Sequence, residues 1–342
     1  MRAMVVTRYG DPLTLADLEE PVLIPGHALV EVLTCGVCFS DVKTSRGHMP
    51  FSDHLPLPHV PGHEIYGRVV ATDPPGAMPE DARVVVYHYW ACGRCPACRR
   101  GDETLCAAMT AWVGFTHHGG FRERLVVPID RLLPVPVSVD PVRAAPLTCA
   151  LGTAYRSTVT RAGARPGASI AIVGLGGVGI HAAQIATAAG ALAVGFDVHE
   201  DTLAAARGLG VDARRADDAA AADDLVAATG GEGVDAVVDT VGRRETLDLA
   251  MRLVRRGGRV VGVGYQPTTA LEVPTPRFVL DEVTYLGSRY AHRDEVARAI
   301  DLVVRGVVTP VVGLVRPLEA VNEVFEALEA GAVVGRAVLE VG

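Results

Sequence analysis

The chain has 342 residues, 49% hydrophobic, 21% charged and 5% aromatic, a globular composition that excludes disordered and fibrous classes. At roughly 100–200 residues per domain it suggests two domains with sizeable cores. Its net charge of −8 makes a poor electrostatic partner for nucleic acid or an anionic lipid surface.

The chain opens MRAMVVTRYGDP, which lacks the long apolar stretch of a signal peptide. No run of about 18 apolar residues follows, so a membrane span is not expected. Residues 1–150 carry short Val-rich runs (AMVVT, ALVEVLT, YGRVVAT, ARVVVYH, ERLVVP) separated by Gly and Pro. Such runs predict an antiparallel β domain. From Ser169 the texture changes to apolar segments ending in Gly or Asp: SIAIVG, ALAVGFDV, DAVVDTVG and GGRVVGVG. Ala-rich stretches between them have helix-forming composition, and the alternation predicts a parallel sheet buried on both faces. After about Tyr290 a helical stretch leads to PLEAVNEVFEALEAG and a last strand, GRAVLEV.

Two patterns carry chemistry. IAIVGLGGVG places Gly174, Gly176 and Gly179 in a G-x-G-x-x-G turn between a strand and a helix, the turn completed by Gly177 and Val178. The glycines allow a tight turn, close approach of a pyrophosphate and close helix packing, and the helix N-terminus faces the phosphates. The next strand ends at Asp197, 18 residues past Gly179. An acid there accepts hydrogen bonds from a ribose 2′-OH and repels a 2′-phosphate, which favours NAD over NADP. His199 and Arg207 are nearby cations that soften that preference.

Of the seven cysteines, Cys92, Cys95, Cys98 and Cys106 are spaced C-x2-C-x2-C-x7-C. Four thiolates on one short lobe suit a closed, structural, tetrahedral Zn²⁺ site. A disulfide framework is a poor reading for so long a chain without a secretion signal, and the expected location is the cytoplasm. A zinc-ribbon or nucleotide-sensing binding protein without turnover is the reading from another class.

The remaining pieces are CGVCFSD with Cys38, VPGHEIYG with His63 and Glu64, and PLTCALGTAY with Cys149. With the four-cysteine lobe, the glycine turn and the terminal GR-x-V-L, they occur in an order and spacing that resembles the zinc-dependent alcohol dehydrogenases of the medium-chain dehydrogenase/reductase superfamily. The resemblance covers nearly the whole chain. It implies an α/β chain with a GroES-like, mainly β catalytic domain at 1–150 and 291–342, and a Rossmann doubly wound parallel-sheet domain at 151–290. It further implies that Cys38, His63 and Cys149 hold a catalytic zinc with an open fourth position. Asp41 would orient a ligand, and Glu64 would lie near the metal and enter its coordination transiently. Ser40 would relay the alcohol proton; its alternative is a helix N-cap. Val263 and Arg336 would touch the cofactor, and His48, Phe51, Trp90 and Trp112 fall in segments that line the substrate cleft. The two Trp rings read equally well as core. A homotetramer is expected, with a dimer as the alternative.

Two positions depart from the family pattern. Many relatives carry His five residues after the ligand cysteine, where this chain has Lys43, its only lysine among 32 cationic side chains. Lys can release a proton where Arg cannot, so Lys43 is a candidate for the end of the relay or an anchor for the cofactor ribose. Phe39 stands where relatives place Arg or His against the pyrophosphate. The expected activity is zinc-dependent hydride transfer between a primary or secondary alcohol, or its aldehyde or ketone, and NAD(H). Polyol or sugar dehydrogenation and alkene reduction are the alternatives within the superfamily.

Overall fold

The computed structural model describes residues 1–342 except 51, 53, 54, 56, 267–269, 271 and 273. The chain folds into two compact units: Met1–Cys149 with His292–Val304 and Val312–Gly342, and Ala150–Ala291 with Arg305–Val311.

The first unit is built on a seven-stranded sheet in which the long strand His27–Val37 lies between Arg336–Glu340 and Glu64–Thr72. Its side chains alternate half-buried and buried until Cys35, after which both faces are buried, as expected where a two-residue period runs into the interior. Val30, Val32, Val69 and Val127 share the unit's main apolar core. Pairing is antiparallel except between Val312–Pro317 and Arg336–Glu340, which run parallel. The sequence reading of the first domain as antiparallel did not anticipate that pair, which the helix Val321–Glu329 joins as a crossover. Two pairings position the site: Gly36 faces Glu64 and Val37 faces Ala337. The residues just beyond, Cys38, His63 and Arg336, therefore collect at one end of the sheet.

The second unit is a six-stranded parallel sheet. Its order is Asp212–Arg215, Leu192–Asp197, Ser169–Val173, Val234–Asp239, Val254–Gly262, Thr284–Gly287. This is the Rossmann order, and the chain direction across the sheet reverses beside Ser169–Val173, where such folds bind nucleotides. The apolar run Ile170–Val173 is buried throughout, because helices cover both faces of a parallel sheet. The polar edge strand Asp212–Arg215 and the helix Ala219–Ala228 were not singled out from sequence. Arg305–Val311 joins this unit, whereas the resemblance assigned 291–342 as a whole to the first domain. The Gln184 side chain bonds both backbone groups of Thr309, and His181 Nε2 accepts from Val311 N–H at 2.9 Å. Among the described residues no helix is long and apolar enough to cross a membrane.

Candidate metal centres and nucleotide turn

Cys38 is the N-cap residue of the helix Phe39–Ser45, and Asp41 occupies that helix's third position. This geometry excludes Ser40 as the cap. Asp41 is fully buried and its carboxylate ties three elements together. One oxygen accepts from Cys38 N–H at 2.8 Å, and the other from Gly62 N–H at 3.3 Å and His63 Nδ1 at 2.9 Å. With Nδ1–H held by Asp41, the imidazole presents Nε2 as its ligand atom, the arrangement expected of a metal-binding histidine. Ligand atoms of Cys38, His63, Glu64 and Cys149 all lie within 4.8 Å of one another. Cys149 arrives from the turn after Ala145–Leu147, which packs on the strands His27–Val37 and Glu64–Thr72.

These closely placed groups shift one another's ionisation. A hydrogen bond from Cys149 holds the Cys38 thiol well below its ordinary range against the opposing effect of burial, and Arg336 and His63 add to the shift. Burial pushes Cys149 well up, with the neighbouring Cys38 sulfur adding to it. Burial by itself would lower His63, but the Asp41 charge and hydrogen bond raise it to about 10. Burial also raises Glu64, against the pull of Arg336, whose Nη2 stands 2.9 Å from Glu64 Oε1 and 3.8 Å from Cys149 Sγ. Two soft sulfurs, one oriented imidazole and a carboxylate at one point fit Zn²⁺.

Arg336 is thus buried against the metal ligands, a placement that sequence did not reveal. Gly36 was also missed: a Cβ there would collide with the Glu64 carboxylate and Cβ across the strand pair. So were Phe115 and His88, whose rings sit 4.7 Å and 5.4 Å from that of His63. Trp112 reaches this group through Phe115 at 4.2 Å, and Trp90 belongs to the apolar core. His48 is exposed just beyond the helix, its N–H bonded to Lys43 O. Phe51 lies outside the described residues. Ser40 Oγ is buried with no hydrogen-bond partner among the described residues. Lys43, one turn on, is half-buried with Nζ 5.8 Å from the Phe39 ring centroid. Burial lowers its pKa, and the Cys38 charge opposes that. Cys35 is a buried thiol pushed up by burial, consistent with a packing role.

The second cluster is local. Cys92, Cys95, Cys98 and Cys106 also place their sulfurs within 4.8 Å of one another. Backbone N–H groups of Cys92 and Cys95 donate to the sulfurs of Cys106 and Cys92, each at 3.3 Å. Such bonds favour thiolates; those from Cys98 and Ala107 help to lower Cys95 to about 6. Burial and the neighbouring cysteines push Cys98 up to about 12; four sulfur ligands with no further donor fit a closed tetrahedral zinc.

In the second unit the strand Ser169–Val173 passes into the glycine turn and the helix Gly179–Ala188, whose N-cap is Val178. Gly174 has φ +86°, and a Cβ on Gly179 would run into Gly174 O, so neither position admits a side chain. A Cβ on Gly176 would meet nothing within 4 Å, which leaves the turn open to a phosphate. Asp197 accepts from Leu175 N–H at 2.7 Å and His199 N–H at 2.9 Å. Each oxygen keeps a lone pair beyond these bonds. Val263 follows the strand Val254–Gly262, its N–H bonded to Asp239 O.

Residues 24–137 match the alcohol dehydrogenase GroES-like domain, and residues 177–305 match the zinc-binding dehydrogenase domain. An alcohol dehydrogenase of Geobacillus stearothermophilus is 36% identical over 346 residues, spanning 99% of each chain. The crystal structure of an NAD-dependent alcohol dehydrogenase superposes with a TM-score of 0.91 at 32% identity, covering 100% of both chains. The alcohol dehydrogenase of the archaeon Aeropyrum pernix gives 0.90 at 30% identity, over 99% of this chain and 100% of that one. Both units, the two ligand clusters and full-length similarity agree: the chain belongs to the zinc-binding alcohol dehydrogenase family of the medium-chain dehydrogenase/reductase superfamily.

Proposed function

We propose that the chain interconverts a primary or secondary alcohol and its aldehyde or ketone with NAD(H), using one catalytic and one structural zinc. The observation that carries this reading is the convergence of Cys38, His63, Glu64 and Cys149 on one point, with Asp41 holding two of them. The bound zinc supplies Lewis-acid polarisation of the alcohol or carbonyl oxygen, and NAD(H) accepts or gives the hydride. Cys38, His63 and Cys149 hold the metal; Glu64 waits beside it, its charge balanced by Arg336. A Glu64 paired with a buried guanidinium has a reason to stay off the metal until a ligand leaves. We assign metal chemistry to the first unit and NAD binding to the second, through Gly174–Gly179, Asp197 and Val263. The expected contact of Arg336 with the pyrophosphate belongs to the same proposal, beside its pairing with Glu64.

The unpartnered Ser40 hydroxyl takes the alcohol proton in this reading, and Lys43 passes it to solvent. Lys43 must be neutral to accept it. Because burial lowers its pKa, the neutral amine is reached at lower pH than in a free lysine. Alcohol oxidation should therefore gain rate as pH rises through that lowered value. Lys43→Arg cannot deprotonate, so its kcat/KM–pH profile should lose this rising limb. An unchanged profile would exclude Lys43 from the relay.

Asp197→Asn removes the charge that repels a 2′-phosphate while keeping one side-chain oxygen to accept from the backbone. The NAD-over-NADP preference should fall by about tenfold or more, the worth of one charged hydrogen bond. Steady-state kinetics with the two cofactors checks this. Substrate class is tested by following NAD(H) absorbance across simple alcohols, polyols, sugars and activated alkenes. Turnover confined to polyols or to alkenes would replace the alcohol reading.

We further propose assembly into a homotetramer through the second unit. The edge strand Thr284–Gly287 is half-buried at best, and Phe278, Val279 and Leu280 nearby expose large apolar surface. Cytoplasmic location belongs to the same proposal, since all seven cysteines are unpaired and six of them sit in metal-ligand clusters.

A further inference from the structure

A second cationic group lies in the first unit, away from both cysteine clusters. Arg122 is only 7% exposed, yet no carboxylate pairs with it among the described residues and its Nε has no hydrogen-bond partner. Unpaired guanidinium is expensive to bury. Three histidines flank it on bonded segments: His117 and His118 precede the Gly119–Phe121 stretch that Arg122 follows, and His59 precedes the Val60–Gly62 stretch to which that segment bonds. Burial lowers all three, and the Arg122 charge helps to lower them. The rings of His59 and His118 are stacked with centroids 5.5 Å apart. His59, 2% exposed, bonds Gly114 O through Nε2 at 3.1 Å. His118 accepts Val60 N–H on Nδ1 at 3.1 Å, so its neutral ring carries the proton on Nε2 and keeps a donor to offer.

The backbone holds this group in place. Gly119, Gly120 and Phe121 donate to the carbonyls of Val60, Gly62 and Pro61, and Arg122 bridges to Ala3. His118 is half-buried and His117 exposed, its ring 5.0 Å from that of Trp90. The group therefore runs from a buried cation to solvent. A metal is the wrong occupant, because an uncompensated guanidinium repels it and two ring nitrogens are already committed.

We propose that Arg122, with His118 and His117, forms an oxyanion-binding site that takes a phosphate or carboxylate group. The oxyanion would satisfy the guanidinium and the His118 Nε2 donor and offset the buried charge. This site is independent of the dehydrogenase reading. Arg122 falls to about 10 through burial and stays protonated at neutral pH, while burial holds His59 down at about 4. The group thus has a permanent charge with neutral donors around it.

The test is a titration of the zinc-loaded full chain, with labelled histidines observed by NMR, against inorganic phosphate and, separately, acetate at constant ionic strength. Saturable shifts of the His118 and His117 signals are expected, absent in Arg122→Met. Saturation by phosphate alone identifies a phosphate group as the occupant; saturation by acetate identifies a carboxylate. Thermal unfolding gives an independent readout. The wild type should gain Tm with rising anion concentration, whereas Arg122→Met should gain none and be no less stable in anion-free buffer. Shifts that grow linearly with both anions, or that persist in Arg122→Met, would overturn the site. So would a wild-type Tm indifferent to both anions.

Discussion

Cys149→Ala is expected to leave a folded chain with about one zinc ion and kcat/KM for alcohol oxidation reduced about 10³-fold or more. Cys149 supplies one of two sulfurs at a point where the other ligand atoms lie within 4.8 Å. Its removal leaves one sulfur, one imidazole and the carboxylate of Glu64, which Arg336 already engages. Two of the remaining ligands, Cys38 and His63, stay organised by Asp41, so the loss is one of metal hold rather than of fold. Metal analysis together with kinetics checks it. Full activity with one zinc per chain would show that the cluster is not the reaction centre.

The second large effect is on stability. Cys98→Ala should unravel the four-cysteine lobe and lower Tm by about 4–7 °C, the equivalent of roughly 3–5 kcal/mol in a chain of this size. The lobe contains a four-residue helix, Pro96–Arg99, and a three-residue 3-10 turn, Glu103–Leu105. Of these seven residues only Ala97 and Thr104 are buried. So little apolar surface cannot hold a fold, and structural zinc sites commonly supply folding energy outright. The damage should spread through Glu103, which faces Arg131 at 3.5 Å and accepts from Arg293 N–H at 3.0 Å. Calorimetry of the variant beside the wild type measures it, and an unchanged Tm would mean that the lobe stands without its metal. Turnover at low temperature should change far less than in Cys149→Ala, which separates the two sites.

Much of this was legible in the residues. The four-cysteine lobe declares itself because its ligands lie within 15 consecutive positions. The glycine turn does so because each glycine has a local steric task. The catalytic ligands are far apart in sequence, and only their resemblance to a family pattern joined them; their proximity comes from the Gly36–Glu64 and Val37–Ala337 pairings. What stayed hidden is cross-strand by nature. Gly36 is glycine because Glu64 faces it, and Arg336 is a partner of Glu64 only after the last strand has paired. The cap of the helix Phe39–Ser45 fell to Cys38 instead of Ser40, since Asp41 at the third position already bonds the Cys38 backbone. The edge strand Asp212–Arg215 has too polar a sequence for an apolar pattern to mark it.

The chain has sites for two zinc ions, and one of them serves the reaction. Zinc content per chain should be measured alongside alcohol-dependent NAD reduction while the metal is withdrawn by a chelator and then restored. Two zincs per chain are predicted, with activity falling in step with loss of the ion held by Cys38, His63 and Cys149, and returning with zinc. Undiminished NAD-dependent turnover in zinc-free protein would show that no zinc ion takes part in the reaction.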